Sequence, residues 1–200
     1  MAHDLNKIVL VSLDDCLINK HGDQGWYFKR DMLDRLMLFL KYGYEVSITH
    51  NNHSVSDGVI KPMQALSFIH DVAKNFEVYA NTFGYTPVRR GVPPFKIAMS
   101  KQSRFYKGAG SDIDAYKAYY NYDPAQLIVI GDTKMSDDIL FANRLNARCY
   151  ISAYSLVSAD LKELESVIEL VSKGDDNIKL TTFTKNIFNY KTEIKDGKKN

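Results

Sequence analysis

Apolar positions along this chain fall into two alternating kinds of run. Short, β-branched runs occupy residues 8–11, 44–49, 127–130 and 148–152, as expected of strands buried on both faces. Between them lie segments whose apolar residues recur at i, i+3, i+4 and i+7, the spacing of one helical face. Residues 28–42 carry Leu33, Leu36, Met37 and Leu40, with Gly43 as the stop. Residues 62–76 carry Leu66, Ile69 and Ala73, with Pro62 in the first turn. Residues 111–120 and 136–145 read as two further helices, the first capped by Ser111. Residues 158–173 read as an amphipathic helix capped by Ser158, facing Leu161, Leu164, Ile168 and Val171 inward and ending at Gly174. Residues 77–80 suit a further strand. The stretch 81–106 is irregular, with Gly84, Pro87, Gly91, Pro93 and Pro94 among basic and aromatic residues.

Strands alternating with helices predict right-handed crossovers and a central parallel sheet, an α/β domain. In such a sheet a ligand sits beyond the carboxyl ends of the strands. The residues that follow each strand are therefore the ones to read for chemistry.

Composition narrows the picture a little. The chain has 200 residues, 45% hydrophobic and 25% charged, which suits one compact soluble domain. No apolar run approaches the roughly 20 residues of a membrane span, and the first residues lack the apolar core of a secretory signal. Two cysteines, Cys16 and Cys149, point to a cytoplasmic or other reducing compartment rather than a disulfide scaffold. A net charge of +2 is too small to imply nucleic acid. It is concentrated beyond Gly174, where six lysines stand against four acids. Residues 1–174 thus form the expected domain and 175–200 a Lys-rich tail, either a solvated terminus or a docking segment for an acidic partner.

After the first strand come Ser12-Leu13-Asp14-Asp15-Cys16-Leu17. After the second come Thr49-His50-Asn51-Asn52, and Lys107-Gly108 precede the helix at 111. After the strand at 127–130 come Gly131-Asp132-Thr133-Lys134-Met135-Ser136-Asp137-Asp138. Carboxylates, small hydroxyls and a lysine therefore converge on one edge of the sheet. Such groups suit a phosphate with a divalent cation: hard oxygens hold Mg²⁺, while lysine and hydroxyl hold phosphoryl oxygens.

At these positions the chain resembles the haloacid-dehalogenase (HAD) superfamily of phosphohydrolases over roughly residues 7–153. "IVLVSLDDCL" is similar to that family's first motif, "SITHN" to its second and "VIGDTKMSDDILFANRLNA" to its fourth, while Lys107 resembles its third-motif lysine. The "ANRLNA" ending is similar to a small-cap subgroup that includes phosphatidylglycerophosphate phosphatases. The resemblance implies a three-layer, Rossmann-type domain with a minimal cap or none, in which residues 53–106 form an insertion or cap-like segment. It implies Asp14 as general acid/base, Thr49 and Lys107 as phosphate holders, and Mg²⁺ held by Asp132 and the Asp14 backbone carbonyl, with Asp137 mostly through water. Asp138 is the alternative to Asp137, and His50 the alternative to Thr49. Asn51, Arg89 and Arg90 are expected to contact a substrate, either a phosphorylated small molecule or a phosphoprotein.

One position departs from the pattern. Ser12 falls where the family places its nucleophilic aspartate. A neutral hydroxyl with no evident base beside it is a poor nucleophile, and one anionic metal ligand is lost with the carboxylate. The expectation is a phosphate- and Mg²⁺-binding protein with impaired or absent turnover. The alternatives are an active Mg²⁺-dependent phosphomonoesterase, or an enzyme carrying a substitution introduced at position 12.

Overall fold

The computed structural model describes residues 5–20, 25–50, 62–86, 112–132 and 136–174. Strands β1 (Ile8–Ser12), β4 (Glu45–Thr49), β5 (Ile128–Gly131) and β6 (Cys149–Ser152) form a four-stranded sheet in the order β4-β1-β5-β6. Every pairing in it is parallel, with Val9 beside both Val46 and Ile128, and Ile130 beside Ile151. The central strand β1 is wholly buried, and its side chains divide between two cores. Val9 and Val11 pack with helix α1 (Arg30–Lys41), α2 (Pro62–Thr82), α5 (Ala153–Ser158) and α6 (Leu161–Ser172). Ile8 and Leu10 pack on the opposite face with α3 (Ile113–Tyr120) and α4 (Ser136–Arg144). Alternation along one strand thus supplies both cores, which is why these strands read as continuous apolar runs. The expected three-layer α/β architecture is what the chain adopts.

Several boundaries differ from the sequence expectation. Residue 28 is not helical. Trp26–Phe28 form β3, paired antiparallel with β2 (Ile18–Lys20) so that Ile18 faces Phe28 and Lys20 faces Trp26. Phe28 leaves the helix because this hairpin places it against Trp26, their rings 5.0 Å apart and edge to face. Residues 77–80 are not a strand but the last turns of α2, whose Ile69, Val72, Phe76 and Ala80 are buried at helical spacing while Val78 is exposed. The β-propensity of Val78 and Tyr79 is overridden by an apolar face already established over two turns.

The caps differ as well. Asp112 rather than Ser111 caps α3, accepting from the Ala115 amide at 2.9 Å; Ser111 lies outside the described residues. Asp160 rather than Ser158 caps α6, accepting from Lys162 and Glu163. Ser158 instead ends the short helix α5, and Leu161 in the first turn of α6 is exposed. Arg35 ties α1 to this region: its buried guanidinium donates to the carbonyls of Leu156, Val157 and Ala159. Cys16 and Cys149 are both buried, as thiols rather than as a disulfide. Among the described residues, no helix is long and apolar enough to cross a membrane.

Candidate functional site at the carboxyl edge of the sheet

The ends of β1 and β4 set the site. Ser12 and Thr49 are register partners, and both are buried. Thr49 is held by its Oγ1, which lies 3.4 Å from the Val11 carbonyl, while its own carbonyl accepts from the Leu13 amide at 3.0 Å. Beyond Ser12 the chain turns sharply: the amides of Leu17 and Ile18 both donate to the Leu13 carbonyl at 3.1 Å. Asp15 takes a left-handed φ of 59°, a conformation that aspartate tolerates better than most residues. The turn leads directly into the β2–β3 hairpin.

That hairpin brings Lys20 back over the turn. Its Nζ lies 2.8 Å from Asp14 Oδ1, and His50 Nδ1 lies 3.4 Å from the other carboxylate oxygen. Lys29, just after the hairpin, donates to the Asp15 carbonyl. The Lys20–Asp14 pair is about half exposed, so it contributes about 0–1 kcal/mol to stability. Its main consequence is an ammonium group at this edge, balanced by the Asp14 carboxylate. Lys20 Nζ also stands 5.4 Å from the centre of the Phe68 ring on α2.

The end of β5 carries the second acidic group. Asp138, in the first turn of α4, is buried, and its Oδ2 accepts from the Asp132 amide at 3.1 Å. Asp137 beside it is exposed. Helical phase thus turns only Asp138 toward Asp132. Gly131 permits this approach, because a Cβ at that position would overlap the Asp138 carboxylate and stand 2.6 Å from its Cβ. Tyr150 donates to the Asp132 carbonyl at 2.8 Å. Burial, reinforced by the nearby Asp138 carboxylate, pushes the Tyr150 phenol well above its usual range and keeps it a donor.

Of the residues expected from sequence, the fold thus gathers Ser12, Asp14 and Thr49 at adjoining strand ends, with Asp132 at the end of the neighbouring strand. Lys107, Asn51, Arg89 and Arg90 lie outside the described residues, as does the 133–135 loop. Within the 53–106 segment the described part is α2 and the turn after it, and α2 packs into the core. Sequence reasoning missed Lys20 and Lys29. The signal was present: two short apolar-flanked runs around Gly22-Asp23 are a hairpin pattern, and a hairpin returns its residues to its own root.

No protein-family model matches the chain, and no curated protein does. Solved structures do. A HAD-like protein from Mesorhizobium loti, assigned as a candidate phosphatase, superposes with a TM-score of 0.54 at 12% identity, covering 86% of this chain and 90% of its own. The D,D-heptose 1,7-bisphosphate phosphatase of B. bronchiseptica, solved with magnesium and phosphate, superposes with a TM-score of 0.51 at 15% identity, covering 70% and 77%. The fold is HAD-like. At these identities the likeness concerns architecture, and the chemistry must be read from this chain's own residues.

For Mg²⁺ the described residues of this chain are a poor fit. Among them, no group of three or more His, Cys, Asp or Glu side chains is placed to hold a metal ion. One Asp14 oxygen is ion-paired with Lys20 and the other faces His50, while Asp138 commits an oxygen to the Asp132 amide. Ser12 contributes no charge.

Proposed function

We propose that the carboxyl edge of β1 and β4 is a phosphatase-type site that binds the phosphoryl group of a small molecule or phosphoprotein and turns it over slowly or not at all. The observation that carries this reading is the pairing of Ser12 with Thr49 at the ends of adjacent parallel strands, both buried, with Asp14 two residues further on. A hydroxyl such as that of Thr49 can donate to a phosphoryl oxygen. Lys107 is our further phosphate holder, with Asn51, Arg89 and Arg90 as substrate contacts. Of the two aspartates at the start of α4, Asp138 is the one we assign to the site, since it faces Asp132.

The Ser12 hydroxyl stands where a carboxylate would form an acyl phosphate. A phosphoserine at this position would be far more inert, so binding should outlive turnover. A second reading, an active phosphomonoesterase in which Asp14 takes a proton from attacking water, is favoured by the half-exposed position of the Asp14 carboxylate. Magnesium dependence belongs to that reading.

An aryl phosphate assay separates the two, comparing the wild type with Ser12→Asp, each with and without Mg²⁺. Negligible wild-type turnover that rises about a thousandfold or more in Ser12→Asp supports the impaired site. Robust wild-type turnover would establish the second reading. No gain in a folded Ser12→Asp variant would mean that the rest of the site has also decayed and that the protein works by binding a partner.

A further inference from the structure

We propose that Lys20 supplies the positive charge of this site from within the chain, so that an oxyanion binds here without a divalent cation. The inference rests on the oxyanion reading above and names the group that compensates the anion.

The Lys20 ammonium is positioned, not merely nearby. Pairing of Lys20 with Trp26 in the hairpin and the bridge between Asp14 and Ile18 fix its root beside the turn. The Asp14 carboxylate at 2.8 Å and the Phe68 ring at 5.4 Å hold its head from two sides. The side chain nevertheless remains 51% exposed. An ammonium has three donors, so engaging Asp14 leaves capacity for a ligand oxygen.

The same arrangement works against a metal. Asp14 presents one oxygen to Lys20 and the other to His50 Nδ1, so a cation seeking that carboxylate must displace an existing positive charge. Ser12 adds no negative charge beside Thr49. Lys29 adds a second ammonium on the same turn through the Asp15 carbonyl. A phosphate dianion approaching Ser12 and Thr49 would therefore meet ammonium groups that the chain itself carries, set against the Asp14 and Asp15 carboxylates. Hydrogen bonds to charged partners are the stronger class, which sets the expected size of the effect.

The test titrates tungstate, as a phosphate analogue, into the full chain, with EDTA and separately with Mg²⁺. The variants are Lys20→Met, which keeps an apolar stem against Phe68, and Lys20→Arg, which keeps the charge. Melting curves without ligand establish that each variant is folded. The wild type should bind tungstate in EDTA, with an affinity changed less than about twofold by Mg²⁺. Lys20→Met should bind about tenfold or more weakly in EDTA, and Lys20→Arg should retain most of the affinity. Wild-type binding that requires Mg²⁺, or Lys20→Met binding equal to wild type in EDTA, would overturn the inference and leave the oxyanion site standing. Absence of binding by every protein under both conditions would overturn the site and the inference together.

Discussion

Gly131→Ala is the substitution whose effect follows most directly from the geometry. Gly131 has no requirement for a left-handed backbone, so alanine brings no dihedral strain. The conflict is steric. The new Cβ would overlap the Asp138 carboxylate and lie 2.6 Å from Asp138 Cβ and Cγ. Ordinary contact requires the Asp138 side chain to retreat by most of an ångström. A shift of that size breaks the 3.1 Å hydrogen bond from the Asp132 amide. Losing a hydrogen bond to a charged group at a buried position costs about 1.5–3 kcal/mol. Overpacking adds about 1–3 kcal/mol, partly relieved as the start of α4 moves. Together these predict a loss of about 3–5 kcal/mol, a large part of the roughly 5–15 kcal/mol of an ordinary domain. Urea unfolding followed by circular dichroism measures it, with Asp138→Asn as the control that keeps the shape and the amide acceptor. Gly131→Ala within about 0.5 kcal/mol of wild type would refute the close approach of Asp138 to β5.

Two further predictions concern the scaffold. Arg35→Met should cost about 2–4 kcal/mol in the same unfolding measurement, because it removes charged donors from the Leu156, Val157 and Ala159 carbonyls; a loss below about 0.5 kcal/mol would mean those carbonyls are equally well served by water. Burial raises the phenols of Tyr116, Tyr120 and Tyr150 well above their ordinary value of 10.0 and pushes Tyr122 up to about 12. The folded state therefore holds these protons more tightly than the unfolded state, so their stabilisation is complete below about pH 10 and declines as pH rises above it. Tyrosinate absorbance should show an early exposed fraction and a late step coincident with unfolding, whereas one simple titration near the ordinary value would contradict that burial.

Much of the architecture was legible because it rests on periodicity. The cores of β1, α1, β4, β5, α4 and β6 were recognisable from their apolar spacing, and so were the strand ends that deliver Ser12, Asp14, Thr49 and Asp132. What escaped depends on tertiary context. The strands Ile18–Lys20 and Trp26–Phe28 are too short to show a period, and only their pairing moves Phe28 out of the following helix. The 77–80 segment has strand-like residues, yet Phe76 and Ala80 continue the buried face of Ile69 and Val72. Asp137 and Asp138 differ by one step in sequence but by about 100° in helical phase, and only the fold reveals which one faces Asp132. Lys20 joins Asp14 through the hairpin register, of which the Gly22-Asp23 pair between two short runs is the local sign.

The central claim is that an oxyanion sits where β1 and β4 end, and its location can be measured directly. Crystals of the full chain soaked in tungstate would reveal the metal-oxide anion by anomalous diffraction. The account predicts a tungstate oxygen within hydrogen-bonding distance of Thr49 Oγ1, with the Ser12 hydroxyl and the Lys20 ammonium on the same anion. Tungstate bound only elsewhere, or none at this edge in crystals that leave it open to solvent, would contradict it.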